Sequence, residues 1–426
     1  MKPAISAALT ASLLILVGCS DTTFSVDDEE SASVNDEENT AVASEECGGY
    51  GGYQTGRFLF EQEKFGGNGR TCRTCHDNET GSISPASAKA RFLANPNEPL
   101  FRGLDSDDGV SGASYERLKT FATILVGIDL PAYVRLANEP SATRVTLQRG
   151  VPSTFDKNPV LEPVLMADAR EPNLAHQALD AALGHAQATI TPTPQQLAKI
   201  AQFESEQLFS SFALAAFARG WGGAPQLPAG YTASQKRGRK FIEDVPFNPG
   251  ATGMAGVCAL CHSGPMLNTT KEIVVNGVQL QPAGARVSTA FVSEFNERQL
   301  PTRQYLFTLP AGTPVPNLPA PPDFVIPGAD GSTTVALTSP DPGLALTANA
   351  PLIHGDPAIA MGVFNLFKIP TLWNVRNTAP YFHDNSAPTL TKLVEHYNNF
   401  FTSPAFGLPP LSAQDQADIV AYLKLL

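Results

Sequence analysis

Positive charge is scarce in this sequence, cysteine is confined to a few places, and membrane-spanning apolar runs are missing. Lys and Arg number 29 against 41 Asp and Glu, a formal net charge of −12. That balance carries no nucleic-acid signature and favours a basic macromolecular partner over an acidic one. The apolar run Ala4 to Val17, behind Lys2, is shorter than the roughly 20 residues a spanning helix needs. It is shaped instead like a secretory signal. Six cysteines are present, and four of them fall in two tight clusters. Cys19 ends the apolar run, and Cys47 is left over, as a free thiol or a crosslinker. Histidine is sparse too: after His76 the next is His176.

What is there is a pentapeptide that occurs twice, Cys72-Arg-Thr-Cys75-His76 and Cys258-Ala-Leu-Cys261-His262. This spacing is the attachment signal of a c-type haem. Two thiols three apart reach the two vinyl groups of a porphyrin, and the next residue presents an imidazole to the iron. The rival readings are half a zinc site, which would need four ligands closing one tetrahedron, and a redox dithiol, which needs no following histidine. Two copies in one exported chain point to two covalently bound haem c groups.

Leu16-Val17-Gly18-Cys19 resembles the lipobox of bacterial lipoproteins. The resemblance implies cleavage before Cys19, acylation of its thiol and, with Ser20 following, a place on the periplasmic face of the outer membrane. An ordinary signal peptide with an incidental cysteine is the alternative. Residues 1–19 are thus read as a signal. Residues 20–50, with Asp27-Asp28-Glu29-Glu30 and Asp36-Glu37-Glu38, read as an acidic disordered tether.

The remainder is expected to be mainly α, in two cytochrome c-like haem domains, 51–220 and 229–426. An internal repeat carries this reading. Gly56-Arg-Phe-Leu59-Phe60 precedes the first motif and Gly238-Arg-Lys-Phe241-Ile242 the second, each as a short amphipathic helix. Each half closes on a later helix. One opens at Thr193-Pro194 and carries Leu197, Ile200, Phe203 and Leu208. The other opens at Ser412 in a capping-box pattern with Asp415 and carries Ile419, Tyr422, Leu423 and Leu426. The break falls in the Gly/Pro-rich stretch Arg219 to Tyr231. The second domain holds an insertion at about 266–365. Its strand-like runs are Glu272 to Val275, Gln304 to Leu309, and Phe324 to Ile326 facing Thr333 to Leu337 across a turn at Gly328-Ala-Asp-Gly331. With no core of its own, it is expected to be a surface elaboration.

Phe367-Lys-Ile-Pro-Thr-Leu-Trp373-Asn374, Thr378-Ala-Pro380-Tyr-Phe-His383-Asp384 and Glu395-His396-Tyr397 follow. With the two haem motifs, these resemble the bacterial dihaem cytochrome c peroxidase and MauG family, which carries F-K-x-P-T-L-R-N and T-A-P-Y-F-H-D-G before its last helix. The likeness runs with interruptions from about Gly56 to Leu426 and is looser at Arg149-Gly-Val-Pro-Ser and Asp168-Ala-Arg170. It implies an N-terminal haem that meets peroxide and a C-terminal haem that passes electrons. The loop histidine that closes the first iron in many peroxidases has no counterpart in Pro140 to Gln148, which implies an open iron.

The resemblance also implies site residues. The family glutamine maps to Gln177 and the family glutamate to Gln187, whose amide cannot shuttle a proton. His185 is the candidate replacement, against a capping or surface role, and His176 is a third choice. The distal ligand of the second haem maps to Tyr397, with His396, Met266 and Met361 as rivals. The relay tryptophan is Ala167 here, and Trp373 stands where the family has arginine. An inter-domain calcium is implied through the carbonyls of Thr378 and Pro380, with Gly150 replacing the family asparagine. Three functions compete: a dihaem peroxidase reducing hydrogen peroxide with electrons from a small redox protein, a MauG-like oxidase of a protein or organic substrate, and a non-enzymatic electron-transfer cytochrome.

Overall fold

Each of the two Cys-x-x-Cys-His motifs sits on a single 3-10 turn beside a pair of packed helices. The computed structural model describes residues 55–275, 278–281, 283–286, 322–327, 333–347, 364, 366–402 and 407–426. The signal, the lipobox, the tether, Cys47, Gln304 to Leu309, the Gly328 to Gly331 turn and Met361 lie outside these residues. From Gly56 to Leu426 the chain forms one compact unit.

In chain order the helices are α1 (Gly56–Glu61), α2 (Pro85–Ala94), α3 (Glu116–Phe121), α4 (Leu174–Gly184), α5 (Pro194–Gln207) and α6 (Phe212–Ala218). After the irregular Gly/Pro-rich stretch follow α7 (Ala233–Ile242), α8 (Pro249–Thr252), α9 (Leu390–Thr402) and α10 (Ala413–Leu423). The motif turns are Cys72–Thr74 and Cys258–Leu260. The expected pairings are present: α1 packs on α5, and α7 on α10. Start signals explain where these helices begin. Thr193 with Gln196, Thr232 with Gln235 and Ser412 with Asp415 each form a reciprocal capping box.

The glycines of the internal repeat have a physical reason. A Cβ on Gly56 would collide with the Lys199 carbonyl of α5, and one on Gly238 with the Asp418 carbonyl of α10. Glycine lets each helix pair approach backbone to backbone. Around the first pair Leu59, Phe60, Ile200 and Phe203 form a core, and around the second Phe241, Ile242, Ile419 and Tyr422 do so.

The fold is helical with several small sheets. β1 (Thr123–Asp129) pairs antiparallel with β3 (Arg144–Gly150), Thr123 opposite Gly150 and Asp129 opposite Arg144. The alternation Ile124, Val126, Ile128 and Val145, Leu147 buries one face of this ribbon. The same alternation is visible in the sequence, and a purely helical reading of the first half overlooks it. The insertion contributes β4 (Ile273–Val275) with β5 (Val278–Gln281), and β6 (Asp323–Pro327) with β7 (Thr334–Thr338).

The expectation of a surface elaboration does not fit the described part of the insertion. β6 also pairs with β2 (Arg135–Leu136). Phe324, Ile326, Ala345 and Leu346 are buried in one core with Leu118, Val134 and Val145 of the first half. The described part of the insertion completes a core begun in the first half.

Candidate haem-binding cavity

One cavity of about 440 Å³ is lined by both motifs, by Cys72, Cys75 and His76 and by Cys258, Cys261 and His262. Phe60, Ile200 and Ala178 close it near the first motif, and Leu393, Phe401 and Leu423 near the second. Helix pairs thus supply apolar walls, and the 3-10 turns present the thiols and imidazoles.

Each imidazole is oriented through its Nδ1. His76 Nδ1 lies 2.8 Å from the Gly81 carbonyl and His262 Nδ1 2.9 Å from the Leu267 carbonyl. A carbonyl partner requires the proton on Nδ1, which leaves the Nε2 lone pair for a metal. Burial holds His76 down to about 4 and lowers His262 as well, so both rings are neutral at pH 7. Burial pushes the Cys72 and Cys258 thiols up to about 12. Zinc thiolates would demand the opposite. Among the described residues, the ligand atoms of neither motif converge on a point that an ion could occupy; Glu171, His176 and Asp180 do so elsewhere. Half-buried thiols, protonated at Cys72 and Cys258, and tautomer-fixed imidazoles on the wall of an apolar cavity fit haem c.

The remaining expected residues divide. Gln177 and His185 line the cavity beside the first motif. His185 caps the C-terminus of α4, its carbonyl accepts from Asn68 and Arg70, and its Nδ1 is buried with no hydrogen-bond partner. Burial lowers its pKa. Gln187 is not in the cavity wall: its backbone is left-handed at φ 51°, and its side chain accepts from Asn68 Nδ2 at 3.0 Å. His176 is outside as well, exposed and bonded to Glu171 at 2.7 Å.

Near the second motif Tyr397 lines the cavity, and burial raises its phenol pKa. Its rivals stand elsewhere. His396 packs its ring 4.7 Å from Phe382, behind the wall, and Met266 is buried with Leu161 and Leu214. Thr378 and Pro380 are in the wall, as are Ala167 and Trp373, whose Nε1 donates to the Pro265 carbonyl at 2.9 Å. At Gly150 a side chain would strike the Asn385 amide, which donates to the Phe121 and Ala122 carbonyls.

Other wall residues escape a reading by motif. Glu204 on α5 is 4% exposed, and its Oε2 has no partner. Its place after Leu197 and Ile200, at helical spacing, was the available signal. Lys157, Glu162 and Lys368 also line the cavity. Arg149 is buried in a cluster with Asp168 and, from the insertion, Asp341.

No protein-family model matches the chain. Over 62 residues it is 42% identical to the cytochrome c551 peroxidase of Nitrosomonas europaea, a stretch that is 15% of this chain and 17% of that protein. The solved structure of a MauG-like protein associated with microbial copper homeostasis aligns over 87% of this chain and 86% of its own, at 18% identity and a TM-score of 0.42. A hydrazine synthase of Kuenenia stuttgartiensis aligns over 98% and 100%, at 15% identity and a TM-score of 0.39. By its paired haem motifs and its stretch of likeness to a cytochrome c551 peroxidase, this chain resembles the bacterial dihaem cytochrome c peroxidase and MauG family.

Proposed function

We propose that this protein is an exported, lipid-anchored dihaem peroxidase that reduces hydrogen peroxide with electrons from a small redox protein. The observation that carries the reading is one cavity lined by both Cys-x-x-Cys-His motifs, with His185, whose Nδ1 has no hydrogen-bond partner, in the same wall. Cys72, Cys75 and His76 would hold one haem c, and Cys258, Cys261, His262 and Tyr397 the other. Bound haem would supply one-electron redox chemistry and, at the first motif, an iron site open to peroxide.

Reducing peroxide to two waters takes two electrons and two protons. Burial lowers the His185 pKa and keeps the ring neutral, so its imidazole can accept a proton and return it to the departing oxygen. Gln177 orients the oxygens with its amide. The carbonyls of Thr378 and Pro380 would serve an inter-domain calcium, with water in place of the oxygen that Gly150 lacks.

A pyridine haemochrome assay should find two haems per chain, and the holoprotein should turn over peroxide with a reduced cytochrome as donor. His185→Ala should slow the reaction with peroxide by about 10²–10⁴-fold, the range of a lost general acid–base group, at unchanged haem content. Full-rate peroxide reduction by that variant would remove His185 from the mechanism, and one haem per chain would sink the dihaem reading.

A specific observation favours the MauG-like alternative, oxidation of a protein or organic substrate. The wall residue near the second motif is Tyr397 and not methionine. A hard phenolate ligand lowers a haem potential where a thioether raises it. Tyr397→Met should therefore raise the potential of the second haem in a redox titration, and an unchanged potential would discard the ligand assignment.

A further inference from the structure

Most charged groups in the cavity wall are already satisfied. Arg70 is tied to Asp105 at 2.7 Å and to the carbonyls of Pro99 and Leu100. Arg149 is matched by two aspartates, and Asp156 is bound by the amide and hydroxyl of Ser210. Three groups differ. Lys157, from the first half, and Lys368, from the stretch after the insertion, both approach one oxygen, Glu162 Oε2, at 3.9 and 3.4 Å. That oxygen makes no hydrogen bond.

The side chains of Lys157, Glu162 and Lys368 are 15, 3 and 9% exposed. Among the described residues no other carboxylate lies within ion-pair distance of either ammonium, so two half-buried cations share one anion. The nearby Glu204 does not repair the imbalance, because burial pushes its carboxyl up to about 8 and it is neutral at pH 7. Burial also presses Lys368 down to about 8. A cation drawn out of bulk water without its own counter-ion is disfavoured, so the seam calls for one more anion.

We propose that Lys157 and Lys368 form a carboxylate-binding seam that receives a propionate of a haem bound in the cavity, joining the two halves of the chain through the cofactor. The inference rests on the dihaem reading. A haem is apolar except for its two propionates, and the cavity wall is apolar except in places such as this. Because Lys157 and Lys368 lie 211 residues apart in the sequence, one bound carboxylate would bridge segments that meet only through tertiary packing. These are positioning residues: they do not touch the iron, but they set the charge beside it. An ammonium next to a propionate neutralises a negative charge that would otherwise favour the oxidised haem. Its loss lowers the potential.

The test uses the full-length holoprotein with Lys157→Met, Lys368→Met and Lys368→Arg. The haem count should stay at two per chain, since attachment depends on the cysteines. Redox titration should show one of the two midpoint potentials shifted downward in each Met variant and restored towards wild type in Lys368→Arg. Two haems with both potentials unchanged in both Met variants would overturn the seam while leaving the dihaem reading intact. Fewer than two haems in the wild type would instead overturn that reading. If Lys368→Met accumulates no holoprotein, recovery in Lys368→Arg supports the seam, and equal loss in both variants overturns it.

Discussion

Glu204 shows what one buried acid does to an otherwise apolar wall. Burial raises its carboxyl from 4.5 to about 8, so between those pH values the native chain keeps a proton that the unfolded chain has released. Stability contributed by that proton is fully present below pH 4.5 and is lost as pH rises towards 8. The slope from one group is at most about 1.4 kcal/mol per pH unit. Glu204→Gln cannot ionise, so its unfolding free energy should lose this downward slope and gain on wild type most clearly above pH 8. Denaturant titrations across pH 5–9 would show it, and parallel pH profiles for the two proteins would refute it. His185 makes the complementary point. Its type and rough position are readable from sequence, but only its place at the end of α4, with an unpartnered Nδ1, separates it from Gln187 two residues on.

At the scale of elements, the paired helices explain why the repeat keeps glycine. At Gly238 an added methyl meets the Asp418 carbonyl and, at 2.9 Å, the Tyr422 Cβ. Neither is the free end of a flexible chain, so the helices must part. Gly238→Ala should therefore destabilise by about 1–3 kcal/mol, the range for overpacking a filled core. Thermal unfolding would read this as a lower midpoint, and an unchanged midpoint would mean that the α7–α10 contact can relax. The helix pairs were legible because amphipathic period and capping boxes are local signals. β1 and β3 carry an equally local alternation. Their partnership, across residues 123–150, is also what sets Gly150, Val151 and Pro152 against the cavity.

For the whole molecule, the tie between the insertion and the first half is decisive. Asp341 takes Arg149 Nε and Nη2 at 2.6 and 2.9 Å, while Asp168 takes Nη1. Arg149 ends the β3 edge that turns into the cavity wall, so a residue 192 positions away holds that wall in place. Asp341→Ala strands two donors of a buried guanidinium and should cost about 3–5 kcal/mol. Amide exchange should then quicken in the β1–β3 ribbon. Wild-type stability together with unchanged exchange there would show that the pair is dispensable.

The paired haem-attachment motifs, the order of helices about each and the family likeness were determined by the sequence alone, because each is written in residues a few positions apart. That Tyr397 and not its neighbour His396 lines the cavity accords with helical geometry, which turns adjacent side chains about 100° apart. What only the tertiary structure decided depends on distant segments meeting. Glu162 has Lys157 nearby in sequence, but Lys368 reaches it from 206 residues on; Phe324 and Ile326 fill a core begun near Leu118. Burial made the difference in each case. A lysine, an aspartate or an apolar strand reads as surface or core according to what closes over it, and here that neighbour lies in the other half of the chain.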